Sequence, residues 1–206
     1  MSIVEPIAAF TPQARILFQG DSITDGNRGR SEDPNHVLGH GYVFIIAARH
    51  GAAFPQAQVD FINRGISGNT VVDLERRWQS DALAVRPDLL SVLIGVNDAL
   101  CATPVEVFER VYATLIDQAR AANPKLTLVL GEPFRGRADD ATRRLQEAVA
   151  RLSRRCGAIH VPFQRVFDDA ATRAPIESWI WDDIHPTYRG HQLMADAWES
   201  AVRAGC

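Results

Sequence analysis

Cysteine is scarce in this chain of 206 residues, with only Cys101, Cys156 and Cys206 present. Three thiols with neither disulfide-framework density nor metal-ligand spacing fit a reducing compartment better than an oxidising one, and the expectation is a cytoplasmic protein. Charge of one sign is equally lacking: 22 Lys plus Arg face 25 Asp plus Glu, a formal net charge of −3. No long-range field therefore favours nucleic acid or an anionic lipid surface. No stretch reaches 18 uncharged apolar residues, and Met1 to Thr11 holds no basic segment followed by a long apolar core, so neither a membrane span nor a secretory leader is expected. Repeats, low-complexity tracts and an interdomain linker are absent too. A chain of this length, 46% hydrophobic and 23% charged, is expected to form one compact α/β domain over residues 1–206.

Short apolar runs alternate with amphipathic stretches. Residues 15–19, 58–62, 89–94, 126–130 and 158–161 read as five strands of a parallel sheet buried on both faces. Helices are expected over 41–53, 70–80, 104–122, 138–155 and 188–203. The third shows Thr103 as N-cap, Pro104 in the first turn, and Val105, Phe108, Val111, Tyr112, Leu115, Ile116 and Ala119 along one face. Strand-helix repetition implies right-handed crossovers, a three-layer α/β/α sandwich, and ligands beyond the carboxyl ends of the strands. The irregular segment 27–40 follows the first of those ends and is expected to form a loop at the site rim.

Chemistry-bearing residues sit at those ends. Gly20-Asp-Ser-Ile-Thr-Asp-Gly26 follows the first strand, Asn63-Arg-Gly-Ile-Ser-Gly68 the second and Gly95-Val-Asn-Asp98 the third, while Asp182-Asp-Ile-His-Pro186 precedes the last helix. Taken alone, Ser22 reads more readily as a turn or cap residue than as a nucleophile, and Asn97 as readily as an amide bonded to its own turn. The first turn is not the Gly-x-Ser-x-Gly elbow, and no phosphate-loop lysine or dinucleotide glycine pattern accompanies it. Asp182 and His185 are close enough for one turn to bring a carboxylate to an imidazole. Asp183 is the neighbour most easily mistaken for the acid, but its side chain should point another way. An imidazole titrating near 6.5 when unperturbed can take a serine proton and return it to a leaving alcohol. No three-ligand spacing supports a metal, and no cofactor is expected.

Together these four segments resemble the SGNH hydrolases, also called the GDSL esterase/lipase family, across essentially the entire chain. The resemblance implies a flavodoxin-like sandwich, Ser22 as nucleophile, and Asp182 and His185 as the rest of a catalytic triad. It also implies an oxyanion hole made by the Ser22 and Gly68 amides and the Asn97 side chain. Val96 stands where the family usually has another glycine, so that turn must hold its side chain away from the acyl group.

Asp25-Gly-Asn-Arg28, Glu132-Pro-Phe134, Trp179 and Trp181 are similar to segments of bacterial carbohydrate acetylesterases, including xylooligosaccharide deacetylases. That likeness implies acetyl-ester cleavage on a sugar, with Asp21, Arg28, Arg30, Trp179 and Trp181 as candidate substrate contacts; tryptophans also anchor cores and loops. A small-ester or lipid-like acylhydrolase is the alternative, although no long apolar lid is visible. A carbohydrate-binding protein without activity is a further one. The sequence is compatible with a homo-oligomer and leaves the sugar, the position of the ester and the oligomeric state open.

Overall fold

The computed structural model describes residues 5–31 and 33–205, so Cys206 lies outside the described residues. Five strands, β1 (Arg15–Gly20), β2 (Asp60–Asn63), β3 (Leu89–Leu93), β4 (Thr127–Gly131) and β5 (Ile159–Val161), form one sheet. All neighbours are parallel, in the order β2-β1-β3-β4-β5. The helices are α1 (Ser22–Asp25), α2 (Tyr42–Ala53), α3 (Val71–Trp78), α4 (Val96–Leu100), α5 (Val105–Ala122), α6 (Asp140–Cys156), α7 (Phe163–Ala171) and α8 (Tyr188–Gly205).

Alternation along the strands builds two cores. Ile16, Phe18, Leu89, Leu93 and Val129 pack with Tyr42 and Ile46 of α2, Phe163 and Phe167 of α7, and Met194, Trp198 and Val202 of α8. Leu17, Leu90, Val92, Leu128 and Leu130 pack on the other face with Leu74 of α3, Phe108, Tyr112 and Leu115 of α5, and Leu145 and Val149 of α6. The result is the expected three-layer α/β/α sandwich with a five-stranded parallel sheet. Strand order reverses direction between β1 and β3, so a crevice opens at their carboxyl ends. Ser22 lies just past one of those strands and Asn97 just past the other.

Local differences from the sequence reading have physical causes. β2 starts at Asp60 because Gln58 is left-handed, with φ of 51°, after a 3-10 turn over Pro55–Ala57. Pro104 is itself the N-cap of α5: its ψ of 134° is not helical, while its carbonyl accepts from Val107 and Phe108. Thr103 therefore stands one residue outside. Helix α7 was not expected, although Pro162 followed by Phe163, Phe167 and Ala170 carries the helical period.

Candidate active site

The Ser22 turn is fixed by close approach. A Cβ at Gly20 would overlap the Leu93 carbonyl oxygen and Thr24 Oγ1, so β1 and β3 can converge here only with glycine. Asp21 then caps α1 by accepting from the Ile23 N–H at 3.0 Å, which leaves Ser22 as the first helical residue. Asn63 ties the second turn to the first: its amide donates to the Thr24 and Leu38 carbonyls at 2.7 and 3.0 Å, and its Oδ1 accepts from the Gly65 N–H. Gly65 also needs its missing side chain, because a Cβ there would collide with the Asp25 N–H group.

Asp25 is a buried junction. Its carboxylate accepts both arms of Arg30 at 3.1 and 2.8 Å, the Arg28 amide, and the Ser67 amide and hydroxyl. Burial pushes this carboxyl up, but Arg30 and Ser67 together outweigh burial and hold it below the usual range. Gly68 follows with φ of 82°. Among the described residues its N–H meets no acceptor. From the third turn, Asn97 donates one amide proton to the Asn69 carbonyl at 3.0 Å, and an asparagine amide carries a second.

The remaining groups come from a small hairpin before α8. Ile180 and Pro186 form an antiparallel bridge, Trp181 N–H donates to the His185 carbonyl, and Thr187 N–H donates to the Trp179 carbonyl. At its tip Asp183 has φ of 72°, a left-handed conformation that aspartate tolerates. Asp182 Oδ1 accepts from the Ile184 and His185 amides at 3.1 and 2.6 Å, which turns its Oδ2 onto His185 Nδ1 at 2.7 Å. His185 Nε2 lies 2.8 Å from Ser22 Oγ. Burial raises the Asp182 carboxyl, yet those amides and the imidazole hold it below the usual range, so it is ionised at neutral pH. An ionised acceptor fixes the proton on Nδ1 and leaves Nε2 free to accept from the serine hydroxyl.

Asp183 faces the other way, as expected. Its Oδ2 accepts from Arg135 Nε and from an Arg135 terminal nitrogen at 3.0 and 2.6 Å, and its Oδ1 accepts from the Arg137 amide. This brace from the loop after β4 has no local signature, because its partners lie nearly fifty residues apart.

Several residues expected at the substrate have other work. Asp21 is 1% exposed and caps α1; burial pushes its carboxyl up to about 7, with Ile23 and His185 opposing and Asp98 adding. Arg30 is consumed by Asp25, and Arg28 Nε donates to the Gly65 carbonyl. Trp179 packs against the core, donates to the Ala174 carbonyl and lies under Arg173. Phe134 is wholly buried, and Glu132 accepts from the Gln164 amide. Trp181 differs. It is 66% exposed, stacks on the His185 ring at 6.5 Å between centroids, and lines a groove of about 530 Å³ with Arg135, Arg137, Ile176 and Glu177. Among the described residues no group of three or more His, Cys, Asp or Glu side chains is placed to hold a metal, and no helix is long and apolar enough to cross a membrane.

A polarised serine, an imidazole and a carboxylate beside a crevice is an arrangement suited to acyl transfer. The model of the GDSL-like Lipase/Acylhydrolase family matches residues 18–193, which include all four turns. The chain belongs to this family. An acetylxylan esterase from Geobacillus stearothermophilus is 33% identical over 199 residues, covering 89% of this chain and 91% of that protein. The structure of Axe2, an acetylxylan esterase from the same organism, is similar at a TM-score of 0.86 and 27% identity, over 94% of this chain and 96% of that one. LAE5, an alpha/beta hydrolase enzyme from the metagenome of Lake Arreo in Spain, gives 0.83 and 29%, over 94% and 97%. As a member of this acylhydrolase family, the protein is a carboxylic ester hydrolase.

Proposed function

We propose that this protein removes acetyl groups from carbohydrates, xylooligosaccharides among them, through an acyl-serine intermediate. The observation that carries the reading is the continuous relay from Asp182 through His185 to Ser22, with contacts of 2.7 and 2.8 Å. Likeness to an acetylxylan esterase and the exposed Trp181 beside that relay support a sugar as the alcohol portion.

In this reading Ser22 Oγ attacks the acetyl carbonyl while its proton passes to His185 Nε2. The carbonyl oxygen becomes an oxyanion held by the Ser22 and Gly68 amides and the Asn97 side chain. Asp182 offsets the charge of the imidazolium. Collapse breaks the bond to the sugar oxygen, which leaves with the proton from His185. Water then attacks the acetyl-serine, gives a proton to His185, and acetate departs as Ser22 recovers its own. Residues 1–206 act as one catalytic domain in this scheme. A cytoplasmic location is supported by Cys101 and Cys156, which form no disulfide among the described residues.

The test is acetate release from acetylated xylooligosaccharides, measured beside p-nitrophenyl esters from acetyl to decanoyl. The wild type should release acetate and prefer short acyl chains, while Ser22→Ala should fold normally and lose turnover. Faster hydrolysis of decanoyl esters, with no acetate from the sugars, would favour the lipid-like alternative.

A further inference from the structure

The end of α3 carries an arginine that sequence reasoning left unassigned. The Arg77 side chain is only 14% exposed, and its guanidinium reaches two of the turns directly and a third through Asn69. One terminal nitrogen donates to the Gly20 carbonyl at 3.2 Å, two residues before Ser22. The other donates to the Arg64 carbonyl at 2.7 Å, where the chain turns toward Gly68. Nε donates to Asn69 Oδ1 at 2.8 Å, and the carbonyl of that same Asn69 accepts from Asn97. Gln19 Oε1 and Asp81 Oδ2, at 2.9 and 3.1 Å, complete the cradle.

These partners share a geometric problem. At the carboxyl ends of β1 and β2 the ladder stops and the chain turns away; the Gly20 carbonyl accepts from the Ile66 amide, and Arg77 adds a second donor there as well as one for the Arg64 carbonyl, tying the two turns to one side chain. Arginine offers five N–H groups in a rigid planar fork, so one side chain can serve the carbonyl that ends β1 and both a carbonyl and a side-chain amide oxygen of the loop after β2. Its own helix is fixed independently. Thr70 and Asp73 form a capping box, and the Val71 amide donates to Asp98, the residue after Asn97.

We infer that Arg77 is a positioning residue that holds the Ser22 turn, the Gly68 turn and, through Asn69, the Asn97 amide in register for oxyanion stabilisation. This rests on the proposed roles of Ser22, Gly68 and Asn97. Arg77 touches none of the reacting atoms. Its effect is on the distance from the donors to the developing charge, where a displacement of about 1 Å can lower the rate about 10²-fold.

The experiment compares Arg77→Met, Arg77→Lys, Asn69→Ala, Asn97→Ala and the Arg77→Met/Asn97→Ala double variant on p-nitrophenyl acetate, with melting temperature followed throughout. Arg77→Met should lower kcat by roughly 10²-fold with KM changed less than about 3-fold, because the lost contacts act on the transition state. Lysine, a single ammonium on a flexible stem, should restore only part of the loss. The double variant should fall little below Asn97→Ala alone, since both substitutions disable one unit. Asn69→Ala removes only the Nε contact and should lower kcat by about 10-fold without lowering the melting temperature; it decides the matter if Arg77→Met does not fold. Wild-type kcat in folded Arg77→Met or in Asn69→Ala, or multiplicative losses in the double variant, overturns the inference. If Asn97→Ala also keeps wild-type kcat, the oxyanion assignment fails with it; if Asn97→Ala alone loses kcat, only the role of Arg77 fails.

Discussion

The Ser22 turn sits on the buried β1 strand, whereas the hairpin carrying Asp182 and His185 stands at the surface. Ile16, Leu17 and Phe18 are inaccessible, and Asp21 and Asp25 below the serine are nearly so. The side chains of His185 and Asp182, by contrast, are 38% and 27% exposed. Sterics and buried hydrogen bonds hold the first region, and an uncompensated buried polar group costs about 1–3 kcal/mol. A short bridge and the Arg135–Asp183 ion pair hold the second, and an exposed pair contributes about 0–1 kcal/mol. The nucleophile therefore has one available position, while the base and acid are adjusted by local contacts. Substitutions in the hairpin should change the chemistry more than the fold; those beneath Ser22 should change the fold as well.

The sharpest way to break this contrast uses two adjacent aspartates. Asp182→Asn keeps the shape but presents an amide to His185 Nδ1, favours the wrong tautomer and cannot offset the imidazolium, so turnover should fall by about 10⁴-fold. Asp183→Asn loses the ion pair to Arg135 yet keeps a residue that accepts positive φ, so its loss should stay below about 10-fold. The measurement is kcat on one acetyl ester across pH, with circular dichroism as a folding control. Equal, small losses would remove Asp182 from the relay, and collapse only in Asp183→Asn would move the acid to its neighbour.

Acidity separates the regions in the opposite direction. Asp21, raised to about 7, holds its proton in the folded state over a range in which the unfolded chain has released it. Its contribution is complete below the unfolded value near 4 and is lost as pH rises toward 7. Asp182 has the reverse sign: its folded value is lowered, so its contribution is present above the unfolded value and lost as pH falls through the folded one. Asp21→Asn can still accept from the Ile23 amide but carries no charge to bury. Stability at pH 8 should rise by on the order of a few kcal/mol, and by much less at pH 5. Melting curves of both proteins at the two pH values check this. An equal change at both would show that Asp21 titrates normally.

The periodic parts of the molecule were legible in the sequence, because a sheet buried on both faces must be written as apolar runs such as Leu89–Leu93. Glycine at positions 20 and 65 marked the close turns for a comparable reason, and Gly68, with φ of 82°, marked a left-handed one. Asp21 misled: a polar residue beside a candidate nucleophile looks like a substrate contact, but the first N–H groups of α1 need an acceptor, and only the fold shows that Asp21 supplies it. For Arg28 and Arg30 the sequence did not show the pairings that hold them: Arg30 meets Asp25, which the distant Ser67 loop also engages, and Arg28 meets the Gly65 carbonyl, while both side chains line a groove of about 410 Å³. Arg77 had no signal, because the two acceptors that tie it to the turns, the Gly20 and Arg64 carbonyls, are main-chain groups with no letter in a sequence, and its side-chain partners Gln19 and Asn69 meet it only in the fold. The groove beside Trp181 is assembled from segments 135–139 and 176–183, and only folding reveals which of two nearby tryptophans faces it.

That pair of tryptophans gives the finest division between the regions. Trp179 is tied into the hairpin base, so Trp179→Ala should lower stability and harm every substrate alike. Trp181 stands in solvent over the groove and next to His185. If a sugar ring rests on it, Trp181→Ala should reduce kcat/KM for acetylated xylooligosaccharides by about tenfold, equivalent to ~1.4 kcal/mol of binding energy. On p-nitrophenyl acetate the loss should be under about 3-fold, because that substrate keeps the reacting ester but lacks the ring contacts that binding energy could exploit. Loss of the stacking contact on His185 is common to both substrates, so the ratio of the two losses isolates the sugar. Equal losses would confine Trp181 to supporting His185 and leave the alcohol portion to be recognised elsewhere along the crevice.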